Sequence, residues 1–265
     1  MIKNLSIIGS IAGALLVAFL ICVALFADSF SGYDPHMQNF EDRMSAPSRQ
    51  HTFGTDNLGR DVLSRVIHGI RDDVLVAAQA ALIALVAGGV LGAVAGLVGG
   101  ITDKAIVFFG RFLASGPAIL LTIVLAMRNL AFAGETVGLL TVGIVFMLIP
   151  GFIRVVRGIV LGSADAGDNI VKRALTIAGL AAARLFLSLA AAVLVYSGLC
   201  FLGLGALPPS PELGAAIKSG RNMMSSASYL TVFPSLALVL TTLSFGILGE
   251  SLTALLQRTE SGNKQ

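Results

Sequence analysis

Six apolar runs of about twenty residues, each nearly free of charge, leave this chain few ways to fold. They occupy residues 5–27, 74–98, 105–127, 137–159, 174–201 and 229–248. An α-helix rises 1.5 Å per residue, so about twenty residues cross a hydrocarbon core of ~30 Å. In that medium a segment has to satisfy its own backbone polar groups, and a helix does so internally. A soluble domain carries roughly a quarter of its residues as charges. Here only 12% are charged and 55% are hydrophobic, and the mean hydropathy is +0.88. The expected class is all-α: a polytopic membrane protein with six transmembrane helices. The first run exceeds the roughly 7–15 residues of a signal-peptide core, and Asp28-Ser29-Phe30 lacks the small residues of a cleavage site. It reads as an uncleaved span.

The polar segments set the organisation. Residues 28–73 hold eight of the 15 acids. Their last part, residues 61–73, places Val62, Leu63, Val66, Ile67 and Ile70 at helical spacing with Arg60, Arg65 and Arg71 between them. That pattern predicts an amphipathic helix lying at the membrane interface before the second span. Pro117 and Pro150 are expected to kink the third and fourth spans, and Arg184 to snorkel from near the start of the fifth. Residues 207–228, rich in Pro, Ser and Gly, read as a loop. The division is a first helix (1–27), an outer segment (28–73), a five-helix core (74–250) with a polar island near 162–180, and a tail (251–265). Six spans put both termini on one side. The short segments on that side hold Lys3, Lys104, Arg111, Arg154, Arg157, Lys172, Arg173, Arg184, Arg258 and Lys264, whereas the short links opposite hold Arg128, Lys218 and Arg221. The positive-inside rule therefore places the termini in the cytoplasm, although the long outer segment adds five bases against its eight acids.

Several functional classes find no support. The bases are scattered rather than gathered into a patch, which argues against nucleic acid. The two cysteines, Cys22 and Cys200, lie inside apolar runs as small hydrophobes. His36, His51 and His68 have no chelating spacing, so no metal site is expected. A phosphate-binding Gly-x-x-x-x-Gly-Lys-Ser/Thr loop is missing, so any ATP and magnesium would have to be bound by partner chains. The step Gly92-x-x-x-Gly96 supports close helix packing, either inside the subunit or against a partner.

The most distinctive stretch is polar: His51-Thr52-Phe53-Gly54-Thr55-Asp56-Asn57-Leu58-Gly59-Arg60-Asp61-Val62-Leu63-Ser64-Arg65. Gly54 and Gly59 permit tight turns, Asp56 can cap the turn that follows, and Arg60 and Asp61 open the helix. This segment resembles the one before the second span in permease subunits of peptide and nickel ABC importers. It most resembles the second, or "C", permease of dipeptide and oligopeptide systems. The similarity continues through Gly92 to Gly100, through Arg154-Val155-Val156-Arg157-Gly158-Ile159-Val160-Leu161, and through Gly249-Glu250-Ser251-Leu252. After the fifth span it includes Phe201-Leu202-Gly203-Leu204-Gly205-Ala206-Leu207-Pro208-Pro209-Ser210-Pro211-Glu212-Leu213-Gly214.

The resemblance implies a type I importer fold in a bacterial inner membrane. It implies a second homologous permease as heterodimer partner, two cytoplasmic ATPase subunits, and an extracytoplasmic binding protein that delivers small peptides. A nickel or metallophore chelate is the alternative cargo. An autonomous channel or carrier would call for deep charges or an internal repeat, neither of which stands out. Gly54, Thr55, Asp56, Gly59, Arg60 and Asp61 would build the outer gate facing the binding protein. Phe201, Gly203, Gly205, Pro208 and Pro209 would shape the turn after the fifth span. In such permeases a Glu-Ala-Ala-x-x-x-Gly segment between the fourth and fifth spans docks on the ATPase. The nearest match here, Arg173 to Gly179, has arginine at the glutamate position and leucine at the second alanine, and lacks the downstream proline. From Gly179 to Phe201 the chain is also more than a dozen residues shorter than the family pattern. Residues 162–173, with Asp165 and Asp168 ahead of Lys172 and Arg173, are therefore expected to form a reduced docking helix whose charges suit the helix dipole. The competing expectation is weak coupling, with the partner permease carrying most of the docking.

Overall fold

The computed structural model describes residues 2–132, 136–164, 170–205 and 209–262. Nine α-helices follow in order among them: α1 (Ile2–Leu25), α2 (Ala27–Ser31), α3 (Val62–Val98), α4 (Gly100–Ala114), α5 (Pro117–Phe132), α6 (Thr136–Ala164), α7 (Ile170–Leu202), α8 (Leu213–Arg221) and α9 (Tyr229–Gly262). Five helices are long and apolar enough to cross a membrane, and α4 with α5 supplies a sixth span broken by a 61° bend. The chain is a multi-pass membrane protein. The break falls where Gly116 takes φ +121° and Pro117 opens α5, so this proline starts a new helix rather than kinking an existing one. Pro150 lies inside the unbroken α6.

The outer amphipathic helix and the second span are one helix. α3 runs 37 residues without interruption, about 55 Å at 1.5 Å per residue. That exceeds the ~30 Å hydrocarbon thickness by several turns, so residues 62–73 project from the span instead of lying flat. Their apolar face has a protein partner: Val62, Val66 and Ile70 pack with Leu20, Leu213, Ala227 and Leu230. The carboxylate of Asp61 starts the helix by accepting the Ser64 N–H at 2.8 Å.

α3 and α6 form the central seam and run parallel. A methyl group built on Gly88, Gly92 or Gly96 would sit 2.7 Å from Phe152 Cβ, the Ile153 carbonyl oxygen or Val160 Cγ1, respectively. The glycine stripe therefore serves packing inside the subunit. Ala77, Ala80, Ala81 and Ala84 continue the seam against Leu140, Ile144, Leu148 and Phe152, with Val193 and Tyr196 of α7 closing the core. Lipid tails are as apolar as these side chains, so fit and dispersion hold such a seam rather than the expulsion of water.

α1 and α9 lie side by side, with Gly9 against Ser251 and Gly13 against Leu248, so both ends of the described chain share a side. Of residues 162–173, expected to form a reduced docking helix, 165–169 lie outside the described residues; α6 extends to Ala164 and α7 begins at Ile170. Gly179 lies within α7, where a methyl group would meet Leu256 of α9 at 3.0 Å. On the opposite side, the 207–228 segment carries α8.

Candidate functional site

The two diagnostic segments, far apart in sequence, meet in one cap over the end of the bundle opposite the described termini. Gly54 and Gly59 adopt φ +77° and +74°, and the Gly59 N–H closes a turn on the Asp56 carbonyl at 3.0 Å. The position of Gly59 excludes any side chain, because a methyl group there would lie 1.6 Å from the Asn39 carbonyl oxygen. Asp56 Oδ1 accepts the backbone N–H groups of Leu58 and Arg60 at 2.8 and 3.0 Å. Its Oδ2 takes Nε and Nη2 of Arg60, both at 2.7 Å. Asp61 caps α3 with one oxygen and holds His51 Nδ1 at 2.9 Å with the other. Thr55 Oγ1 accepts from the Ser45 N–H at 2.9 Å and donates to the Asp42 carbonyl.

Arg65 joins the cap to the second segment. Its Nη1 donates to the carbonyls of Pro35 and Pro209 at 3.3 and 3.2 Å, and its Nη2 to that of Ser210 at 3.0 Å. The planar fork reaches three carbonyls at once, a geometry suited to arginine. Tyr229 fastens α9 to the same cap, its hydroxyl 3.1 and 3.2 Å from the carbonyl oxygens of Ser45 and Thr55. Phe53 stacks on Phe233 with ring centroids 4.1 Å apart.

The segment after the fifth span begins with a Schellman turn. Gly203 N–H bonds the Cys200 carbonyl and Leu204 N–H the Leu199 carbonyl, both at 2.9 Å, with Gly203 at φ +87°. The bare face of Gly203 admits the ammonium of Lys218, 2.2 Å from where a methyl group would be. That places a cation against the carbonyl end of α7. Gly205 fits over the Cys200 thiol, 2.4 Å from the same imagined methyl group, and Phe201 stays partly exposed in the last turn of α7. Pro209 contributes the carbonyl bound by Arg65. Pro208 lies outside the described residues.

The motif's charges face inward. Thr55, Asp56, Arg60, Asp61 and Arg65 are buried, so these side chains build the platform. The platform exposes the apolar side chains Tyr33, Met37, Phe40 and Met44 beside charged residues such as Glu41 and Arg43. Asp34 is also exposed on it, and at its edge Asp28 is open to solvent. There the hydrogen bond from His68 holds the Asp28 carboxyl below its ordinary range, assisted by the His68 and Arg71 charges. Asp165 and Asp168, expected in the ATPase-coupling segment, lie outside the described residues, and Lys172 and Arg173 are described only as backbone of α7.

Sequence reasoning passed over three groups. Arg65 stood within the quoted motif, and its signal was a lone arginine on the apolar face shared by Val62, Val66 and Ile70. A buried polar layer links α3, α7 and the start of α8, where the Tyr196 hydroxyl donates to Glu212 at 2.6 Å and Ser197 Oγ donates to Asp73. The third group is at the opposite end of the bundle. There Arg157 makes a two-pronged ion pair with Asp103, its Nη2 reaching Oδ2 at 2.7 Å. Beside that pair a cavity of about 220 Å³ between α4 and α6 is lined by Arg111, Arg154, Arg157, Gly110, Pro150 and Ile153, among others. Arg184 does not snorkel. Its guanidinium crosses to α6 and lies on Gly151, with Nη2 2.0 Å from the site of an imagined methyl group.

A helical bundle with up to six spans, capped on one side by a polar platform, defines a polytopic membrane protein. No family model matches the chain, but permease proteins of known transport systems do. The glutathione transport system permease of Pectobacterium atrosepticum is 33% identical over 258 residues, 92% of this chain and 84% of its own length. The probable D,D-dipeptide transport system permease of Escherichia coli K12 is 29% identical, covering 97% and 89%. The dipeptide transport system permease of Haemophilus influenzae is 26% identical, covering 92% and 88%. The chain belongs to the family of C-type permease subunits of peptide-type ABC transporters.

Proposed function

We propose that this chain forms half of the membrane pathway of an ATP-driven importer, and that its cargo is a small peptide handed over by an extracytoplasmic binding protein. The observation that carries the reading is the 33% identity to a glutathione permease over 92% of the chain. The cap agrees with it: a platform pinned by Arg65 and Tyr229 offers a stiff outer surface against which a binding protein can seat. The inner membrane is its location, with both termini in the cytoplasm, as the basic residues beside α4, α6 and α7 favour. A second, homologous permease completes the pathway. Two cytoplasmic ATPases bind ATP and magnesium and drive alternating access, since energy for uphill transport has to reach the bundle from outside it. This chain contributes transport and no catalysis of its own.

The test is uptake of labelled di- and tripeptides in cells that express the complete system, compared with cells lacking this chain or lacking the ATPases. Uptake should require both. Peptide uptake that survives loss of the ATPases overturns the reading. Accumulation of a nickel chelate in place of peptide reassigns the cargo.

A further inference from the structure

We propose that Arg111, Arg154 and Arg184 line the translocation pathway and bind a carboxylate of the passing peptide. The inference rests on the peptide-import reading above and adds a cargo contact to it.

Depth is the first observation. Arg154 lies eight residues before Gly162, where the apolar span of α6 ends, and Arg184 lies seven residues after Ile177, where that of α7 begins. At 1.5 Å per residue these are about 12 and 10 Å along their axes from the ends of the apolar stretches. The guanidinium of Arg184 does not turn back toward the nearer surface. It rests on Gly151, three residues deeper on α6 than Arg154. A charge held at such depth on a lipid face is costly, so intramembrane arginines face water-filled cavities or protein partners.

Charge balance is the second. Four arginines meet around this corner, and Asp103 is engaged through both oxygens by Arg157. Among the described residues Arg111 and Arg154 have no carboxylate partner, and Arg184 Nε is buried with no hydrogen-bond partner. Arg154 and Arg184 repel each other across the α6–α7 pair. Arg111 and Arg154, both exposed in the subunit, face one cavity, and Arg184 lies beside Arg154, with no carboxylate paired to any of the three among the described residues.

Space is the third. The cavity of about 220 Å³ opens between α4 and α6 with Arg111 on one wall and Arg154 on the other. Beside it, a methyl group built on Gly110 would meet Ile153 Cδ1 at 3.6 Å and Pro150 Cβ at 3.9 Å, so the helices are in ordinary contact there and the space lies alongside. A guanidinium binds a carboxylate through two parallel N–H···O bonds. Every linear peptide with a free C terminus carries one such group whatever its side chains, which suits a pathway that serves varied cargo. Asp103 keeps Arg157 engaged and leaves the other three for the passing ligand.

The experiment uses the whole transporter reconstituted in vesicles of phosphatidylcholine, with and without phosphatidylglycerol. Arg154→Gln with Arg184→Gln, and Arg111→Gln alone, are compared with wild type at matched amounts of assembled complex. Cargo is a peptide as the free acid and as its C-terminal amide, both chosen from peptides that the binding protein captures. Uptake of the free acid should fall about tenfold in the double variant while uptake of the amide is unchanged. Equal loss for both cargoes assigns the cluster a structural role and overturns the proposal, as does unchanged uptake of both. A defect confined to vesicles containing phosphatidylglycerol transfers the cluster to lipid headgroups and equally overturns it. If wild type moves neither peptide, the peptide-import reading itself has failed.

Discussion

The glycine seam between α3 and α6 allows a comparison within a single helix. Gly89 and Gly92 lie three residues apart in α3, and replacing either by alanine removes the same backbone freedom, worth about 1 kcal/mol in favour of alanine. Their surroundings differ. A methyl group on Gly89 meets nothing within 4 Å, whereas one on Gly92 would lie 2.7 Å from the Ile153 carbonyl oxygen and 3.1 Å from Ile153 Cα. A relaxed carbon–oxygen contact is about 3.3 Å, so α6 has to retreat by about 0.6 Å. Backbone cannot swing aside as the tip of a side chain can, and the retreat loosens the Gly88 and Gly96 contacts along the same seam. Overpacking of this kind costs about 1–3 kcal/mol, and in lipid no hydrophobic term offsets lost fit. Gly89→Ala should leave the subunit as stable as wild type or slightly more so. Gly92→Ala should melt below Gly89→Ala by about 4–8 °C, taking a difference of about 2 kcal/mol at 2–4 °C per kcal/mol for a chain of this size. The assay is loss of helical circular dichroism on heating the purified subunit in one detergent. A Gly92→Ala protein that melts with or above Gly89→Ala would refute the argument that close backbone approach holds the seam.

Other expectations follow from the cap and the opposite side. Arg65→Lys keeps the charge but not the three-carbonyl fork, so the outer segment should become sensitive to trypsin while the spans remain protected; unchanged protection would show that Arg65 does not hold the two segments together. The Asp28 carboxyl is held below its ordinary value of 3.8 in the folded state. Its contribution to stability is therefore complete above about pH 4 and is lost as pH falls through the lowered value. Melting curves of wild type and Asp28→Asn should differ at neutral pH and converge on acidification, and a gap that stays constant would exclude this contact as the cause. Replacing Asp168, Lys172 and Arg173 together with alanine should reduce co-purification of the ATPase subunits, and undiminished association would remove this segment from the docking surface.

Hydropathy alone carried the all-helical class and the six crossings, because a backbone in lipid has little choice but to bond to itself. Local chemistry carried the turns as well. Gly54, Gly59, Asp56 and Asp61 each do what their residue type predicts within a few positions of themselves. Reasoning failed where periodicity met a non-local partner. An apolar stripe at residues 62–70 reads equally well as a face for lipid or for protein, and only Leu213, Leu230 and Leu20, distant in sequence, decide that it faces protein. Arg184 shows the same limit, since a long cationic side chain can reach outward to the surface or across to a neighbour.

By itself, then, the sequence determined the medium, the number of crossings, the turn positions and, through two polar segments, the family. These depend on composition and on contacts within a few residues. The tertiary structure alone decided that the outer helix and the second span are one rod, that the motif's charges are buried struts, and that Arg184 reaches across to α6 beside Arg154 with no carboxylate paired to either among the described residues. Each of those depends on which helices lie side by side and at what depth, and no local pattern of residues specifies that.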